Sequence, residues 1–481
     1  MLFKFQYVKK YIVLFLLLVG GVKDSFAQLK STKPNVVLIN VDDLGWADLG
    51  FMGSDYYETP NLDKLSRESK VFMNAYAGAS NCAPSRASMI TGRYPMTHGV
   101  YTVDPADRGD KRTRKLFASP NSKVIQDSLY TLGKFFKDQG YTTGTFGKWH
   151  ISDDPAIHGF DVNIGGSHRG HPGKDGYFSP YNIKLEPVVE GEYLTDRLTN
   201  EAITFVKNNQ ERPFFLYLPF YTVHSPLQGK PDLVEKYQNK KSSKGQNNPV
   251  YAAMIQSMDE NVGKLLSVLD GLNLTDNTLV IFTSDNGGIR ATSYQDPLRA
   301  GKGSYYEGGI RVPMLVKWQN QIKAGIENTP VTQMDFYPTI QALIAPDAGI
   351  KLDGQSILPL LFDQELDERD LFWHFPIYLE AYDPKEDGSR DPLFRTRPGS
   401  VIRSGDWKLH QYFEDGGLEL YNLKDDPSEA NNLASSNHEK TKDLLKKLEK
   451  WRSENGAPIP TTKNPDYDPA FEKSAVEKAV N

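Results

Sequence analysis

The chain has 481 residues, of which 39% are hydrophobic and 24% charged, and its 39 glycines and 30 prolines follow no period. These values exclude a disordered chain, a coiled coil and a collagen-like rod; the length predicts one large core with a smaller companion domain, because single cores stop growing at roughly 250 to 300 residues. The formal net charge of −5 speaks against general nucleic-acid binding.

Lys4, Lys9 and Lys10 precede the apolar run Tyr11 to Val22, and Ser25-Phe26-Ala27 follows with small residues where a signal peptidase needs them. Residues 1–27 therefore read as a cleavable export signal, sending the mature chain to the periplasm or outside the cell. Its loss removes four Lys and one Asp and takes the net charge to −8. No stretch supplies the ~20 apolar residues of a membrane-spanning helix, and no cysteine follows the run to take a lipid, so no stable membrane anchor is expected.

The run Asn35 to Val41 is continuously apolar and β-branched, which predicts a strand buried on both faces and ending at Asp42-Asp43. Thr59-Pro60 opens a helix through Leu62 and Leu65. A helix over Leu132 to Gln139 stops at Gly140 and yields to a strand over Thr142 to Phe146. The strand Phe214 to Phe220, the helix Tyr251 to Leu269 and the strand Thr278 to Thr283 continue the alternation. Such an order predicts an α/β fold, a mostly parallel sheet between helices whose ligands collect beyond the carboxyl ends of the strands.

After Leu366 the pattern changes. Val401 to Tyr412 and Leu418 to Leu423 read as strands joined at Glu414-Asp415-Gly416-Gly417, and a Leu- and Lys-rich helix covers His438 to Trp451. The expected division is a signal over 1–27, a large domain over 28–365, and a smaller antiparallel sheet with one helix and a polar tail over 366–481.

Cys82 is the only cysteine, so an exported chain keeps a thiol that cannot form an intrachain disulfide. A free cysteine by itself is an ordinary buried apolar residue. Here Pro84 suits the first turn of a helix containing Met89 and Ile90, which places Cys82 at the helix amino end, where free N–H groups and Arg86 favour an anion. Asp42, Asp43, Asp285 and Asn286 offer only oxygen donors, the set of a hard cation, although each pair alone can also be a turn. Lys148 and His150 fall on one side of an extended segment by alternation. His224 and Lys302 stand in Thr-Val-His-Ser-Pro and Gly-Lys-Gly contexts.

Cys82-Ala83-Pro84-Ser85-Arg86 followed by Thr91-Gly92-Arg93 resembles the signature of the type I, formylglycine-dependent sulfatases, of the alkaline-phosphatase-like superfamily, and the resemblance runs from about Pro34 to Ala434. It implies that Cys82 is oxidised to formylglycine by a formylglycine-generating or anaerobic sulfatase-maturing enzyme. It also implies that Asp42, Asp43, Asp285 and Asn286, completed by the modified Cys82, hold Ca²⁺. Lys148 becomes a sulfate ligand, His150 the partner of the formylglycine hydroxyl, and His224 with Lys302 the pair at the sulfate and the leaving oxygen. In the implied reaction one hydroxyl of the formylglycine hydrate attacks sulfur, Arg86, Lys148 and Lys302 stabilise the sulfuryl charge, and the second hydroxyl expels sulfate.

Export and polar, aromatic-containing insertions favour a sulfated carbohydrate, and the resemblance to bacterial polysaccharide sulfatases suggests an algal galactan or ulvan, with a host glycosaminoglycan as the alternative. A phosphonate or phosphodiester hydrolase can use the same fold. Candidate substrate contacts are His168, Arg169 and His171 in a Gly-rich loop, Tyr378, Arg395 and Arg397 in an irregular segment, and the basic run Arg108, Lys111, Arg112, Arg114 and Lys115. Each of these groups is equally compatible with an ordinary solvated surface.

Overall fold

The computed structural model describes residues 33–173 and 176–481, so the expected export signal lies outside the described residues. The strands of the larger part are β1 (Asn35–Val41), β2 (Lys70–Phe72), β3 (Ala75–Tyr76), β4 (Thr142–Phe146), β5 (Val162–Ile164), β6 (Phe214–Pro219), β7 (Thr278–Ser284), β8 (Arg311–Val312), β9 (Met314–Trp318), β10 (Gly325–Glu327) and β11 (Val331–Thr332). Then follow β12 (Asp370–Phe375), β13 (Leu379–Glu380), β14 (Phe394–Thr396), β15 (Gly399–Ser404), β16 (Trp407–Tyr412) and β17 (Leu418–Asn422).

Eight strands form the main sheet in the order β10-β2-β9-β7-β1-β6-β4-β5, and only β9 runs against the rest. The central strand β1 explains its own composition. Val37, Ile39 and Val41 enter the core on one face with Leu216, Met254 and Leu265, while Val36 and Leu38 enter the core on the other with Phe215, Ile281 and Ile90. A strand covered on both faces needs apolar residues at both parities. The helix Pro249–Gly271 packs on the first face and starts where Asn248 accepts hydrogen bonds from the N–H groups of Val250 and Tyr251.

The smaller sheet is antiparallel throughout, in the order β12-β15-β16-β17. Leu444, Leu448 and Trp451 of the helix His438–Glu454 pack on Ile402, Leu409 and Leu420 of this sheet. One expectation is corrected here: Val401 to Tyr412 is not a single strand but the hairpin β15–β16. Gly405, at φ 56°, makes the reversal, and Ser404 faces Trp407 across it. The tail after Gly456 is an ordered extension ending in the helix Pro469–Val480, capped by the Asp468 side chain.

Candidate active site

Six chain segments meet beyond the carboxyl ends of the parallel strands. Asp42 and Asp43 follow β1, Lys148 and His150 follow β4, His224 follows β6, and Asp285 with Asn286 follows β7. Backbone hydrogen bonds continue past the strands and fix these ends: Asp42 N–H donates to Thr222 O at 3.0 Å, Asp285 N–H to Val41 O at 3.0 Å, and Lys148 N–H to Pro219 O at 2.7 Å. Cys82 opens the helix Cys82–Thr91, in which every residue is buried, and Gly92 at φ 63° closes it with an N–H bond to Ser88 O. Lys302 arrives on a loop pinned by its own N–H to Gly288 O and by Gly303 N–H to Ser80 O.

The charges alternate at short range. Cys82 Sγ lies 3.4 Å from Asp42 Oδ1 and 3.8 Å from Asp43 Oδ1. Lys148 Nζ donates to Asp42 Oδ2 at 2.6 Å, Arg86 Nε to Asp285 Oδ2 at 2.8 Å, and Lys302 Nζ to Asp43 Oδ2 at 2.7 Å. Arg86 also donates to Lys148 O at 2.7 Å, so the guanidinium fixes the lysine's backbone as well as a carboxylate. His224 Nε2 is 3.7 Å from Asp43 Oδ2, and His224 Nδ1 is 2.6 Å from Ser225 O. A carbonyl oxygen only accepts, so Nδ1 carries the hydrogen and Nε2 is the nitrogen free to exchange a proton with the pocket.

Burial and these neighbours set the protonation states. Burial holds the Asp42 carboxyl well above the usual range despite Lys148, with Cys82 and Asp285 pushing the same way. At Asp43 burial resists ionisation but Lys302, His224 and Lys148 overcome it, and at Asp285 burial is overcome by Arg86 together with Lys148 and Lys302. Burial, reinforced by Lys302, lowers His224, and burial with Lys148 and Arg86 lowers His150 further.

Asp42, Asp43, Asp285 and Cys82 each bring one ligand atom within 4.8 Å of the others. Asn286 donates to Asp43 Oδ1 at 2.8 Å, while its buried Oδ1 has no partner. Three carboxylates and an unsatisfied amide oxygen fit a hard divalent cation.

Cys82, His150, His224 and Lys302 line an open pocket of about 380 Å³, whereas Arg86 and Lys148 stand behind its wall. Alternation along an extended segment does not account for Lys148 and His150, because His150 has φ 68° and the chain turns there. Gly170 leaves room for that ring, since a Cβ there would lie 2.4 Å from His150.

The candidate substrate residues separate. His171 stacks on His224 with ring centres 6.5 Å apart and lines the pocket with Arg108 and Arg395. His168 lies beside His150, and Arg169 donates to Asn182 O. Tyr378 and Arg397 serve the fold instead: Tyr378 donates to Glu414 at 2.6 Å, and Arg397 is bound by Asp391, Glu414 and Glu472. Of the basic run, Lys111 pairs with Asp466, Arg112 covers Phe471, Lys115 lies over Tyr467, and Arg114 pairs with Asp107. Sequence reasoning missed Val103 and Tyr382 in the pocket wall, neither of which stands in a motif that marks it, and gave no role to Asn81, which precedes Cys82.

Comparison with known proteins agrees with this architecture. The sulfatase family model matches residues 34–345, and that of the C-terminal region of N-sulphoglucosamine sulphohydrolase matches residues 301–454. A sulfatase of Formosa agariphila is 33% identical, over 98% of this chain and 98% of its own. Human N-acetylgalactosamine-6-sulfatase is 31% identical, over 71% of this chain and 68% of its own. The crystal structure of Ps i-CgsB in complex with k-i-k-neocarrahexaose has a TM-score of 0.72 and 32% identity, covering 92% of this chain and 99% of that one. The buried Cys82 at a helix start, its encircling charges and these matches lead to one conclusion: the chain belongs to the sulfatase family of the alkaline-phosphatase-like superfamily and is a sulfuric ester hydrolase.

Proposed function

We propose that the protein is an exported polysaccharide sulfatase that acts on a sulfated algal galactan or ulvan through a formylglycine at position 82. The observation that carries the reading is the convergence of Arg86, Lys148, Lys302, His150 and His224 on the buried Cys82. The neocarrahexaose held by Ps i-CgsB supports the galactan side of the choice.

Asp42, Asp43, Asp285 and Asn286 would hold a calcium ion, which when bound supplies positive charge against the sulfuryl oxygens. Cys82, once oxidised, supplies an oxygen nucleophile where the thiol now sits. Lys302 in the pocket wall orients the sulfate, Lys148 just behind the wall helps neutralise its growing charge, and Arg86 holds Asp285 and the Lys148 backbone in place. His224 delivers a proton from Nε2 to the leaving sugar oxygen while Ser225 O keeps the ring turned. His150, kept neutral by burial, takes the proton of the second hydroxyl as the aldehyde re-forms, the C–O bond to the sulfate breaks and sulfate leaves.

The test is mass spectrometry of the Cys82 peptide from an active preparation, together with sulfate release from carrageenan, ulvan and glycosaminoglycan oligosaccharides before and after calcium chelation. Aldehyde or hydrate at position 82 and chelator-sensitive release from an algal oligosaccharide are expected. Full activity with only thiol at position 82, or in demonstrably metal-free protein, contradicts the mechanism.

A further inference from the structure

Two guanidinium groups in the pocket wall take no part in the chemistry above. Arg395 is 6% exposed, yet its contacts are to neutral groups: Nε donates to Glu380 O at 2.8 Å, Nη1 donates to Lys302 O at 3.0 Å, and the guanidinium lies 3.4 Å from the Tyr382 ring centre. Arg108 donates to Val103 O at 2.8 Å and lines the same pocket. Among the described residues neither arginine forms an ion pair with a carboxylate, whereas Arg86, Arg114 and Arg397 all do. A nearly buried guanidinium without a carboxylate is costly, and a second cation close by adds repulsion.

Burial, and then Arg395, push the Arg108 guanidinium below its ordinary value, in keeping with two cations that share a pocket and await an anion. The surroundings hold both in place. Gly303, at φ 88°, leaves space that a Cβ would take from Arg395 Nη1, at 2.5 Å. From outside, the tail grips the loop that carries Arg108: Phe117 N–H donates to Thr462 O, Asn464 Nδ2 to Lys111 O and Arg114 O, and Asp468 N–H to Arg112 O.

We infer that Arg108 and Arg395, backed by Tyr382, form a second anion subsite that binds a further sulfate or carboxylate on the saccharide whose sulfate ester is cleaved at Cys82. The inference rests on the sulfatase reading and adds a selectivity: the enzyme prefers substrates bearing two anionic groups over those bearing one. Arginine's planar fork matches both sulfate and carboxylate oxygens, so the geometry alone fits either group.

The experiment uses the full mature chain carrying the modified residue and three matched oligosaccharides: one with the scissile sulfate alone, one with a second sulfate, and one with a carboxylate in its place. Wild type should show a higher kcat/KM for one of the doubly anionic substrates, which identifies the bound group. Arg108→Ala should lower the ratio of doubly to singly anionic kcat/KM by ~10-fold or more, and Arg108→Lys should restore part of it. Arg395→Lys, which keeps the charge but loses the fork, should lower the ratio too. A ratio unchanged in both Arg108→Ala and Arg395→Lys overturns the subsite. If wild type releases sulfate from none of the three, the enzymatic reading falls, and the subsite is then judged by calorimetric affinity for the doubly anionic oligosaccharide, which Arg108→Ala must weaken.

Discussion

Two buried clusters of opposite charges among the described residues differ in whether a pocket reaches them. At the active site Asp42, Asp43 and Asp285 face Arg86, Lys148 and Lys302, yet Asn286 Oδ1, Arg86 Nη2 and His150 Nδ1 have no hydrogen-bond partner, and one side opens into a pocket. Where the large sheet's loops meet the smaller sheet, Lys408 Nζ lies 2.9 Å from both Glu307 Oε1 and Glu429 Oε1. There Glu307 Oε2 accepts from Tyr76 at 2.7 Å, Glu429 Oε2 accepts from Glu307 N–H at 2.6 Å, and all four of these side chains are buried. Buried charge alone therefore does not mark chemistry. The accessible pocket that borders the charges does, since a buried atom without a partner also occurs in the other cluster, at His410 Nδ1 beside Glu429.

That contrast predicts variants that separate activity from stability. Cys82→Ala should reduce sulfate release by at least ~10⁴-fold while the melting temperature barely moves, since Sγ makes only the two long contacts to Asp42 and Asp43. A large fall in melting temperature would put Cys82 in the same structural class as Lys408. His224→Ala should cost roughly 10²- to 10⁴-fold with a sulfated oligosaccharide and far less with an activated aryl sulfate, whose leaving group departs without a proton. Equal losses for the two substrates would make His224 a sulfate ligand and leave Lys302 as the acid.

The active-site cluster was legible in the sequence and the other was not, for physical reasons. β1, β6 and β7 announce themselves because strands buried on both faces carry apolar residues at both parities, whereas β4 (Thr-Thr-Gly-Thr-Phe) is marked by the helix that stops at Gly140 just before it, and each donor lies a residue or a few past a strand end. Lys408, Glu307 and Glu429 lie far apart in the chain, and Lys408 sits inside β16, where a lone lysine reads as solvent-facing. Arg397 misled in the opposite direction, since its partners Asp391, Glu414 and Glu472 belong to separate segments. Part of the basic run appeared unpaired because Asp466, Tyr467 and Phe471, which engage Lys111, Lys115 and Arg112, follow some 350 residues later, while Arg112 and Arg114 also pair with Asp110 and Asp107 nearby in the chain. The β15–β16 reversal did carry a signal: Gly405-Asp406 interrupts the apolar pattern, and a two-residue turn of that kind joins strands.

Lys408→Met sharpens the comparison from the structural side. It leaves Glu307 and Glu429 buried without their shared cation, which costs ~3–5 kcal/mol, read as a shifted denaturation midpoint. Adding Glu429→Gln should recover part of that loss, because the strain lies in an uncompensated carboxylate. Activity per folded molecule should persist in both variants. Loss of activity at unchanged stability would tie this cluster to the reaction and end the distinction between the two.

The acid limb of stability tests the same cluster with the smallest expected effect. Burial opposes ionisation of Glu307, but Lys408, then Arg311 and Arg403, bring it from the ordinary 4.5 down to about 2. A carboxyl depressed in the folded state binds its proton more readily when unfolded. Its stabilisation is therefore complete above pH 4.5 and is lost as the pH falls from there towards about 2. The depression corresponds to on the order of 3 kcal/mol for this fully buried group. Glu307→Gln carries no such proton linkage, so its urea midpoint should fall less steeply than that of wild type across this window, and the two curves should approach each other at the acid end. Parallel curves would mean that Glu307 is no more acidic in the folded protein than in the unfolded chain, and that Lys408 is balanced by Glu429 alone.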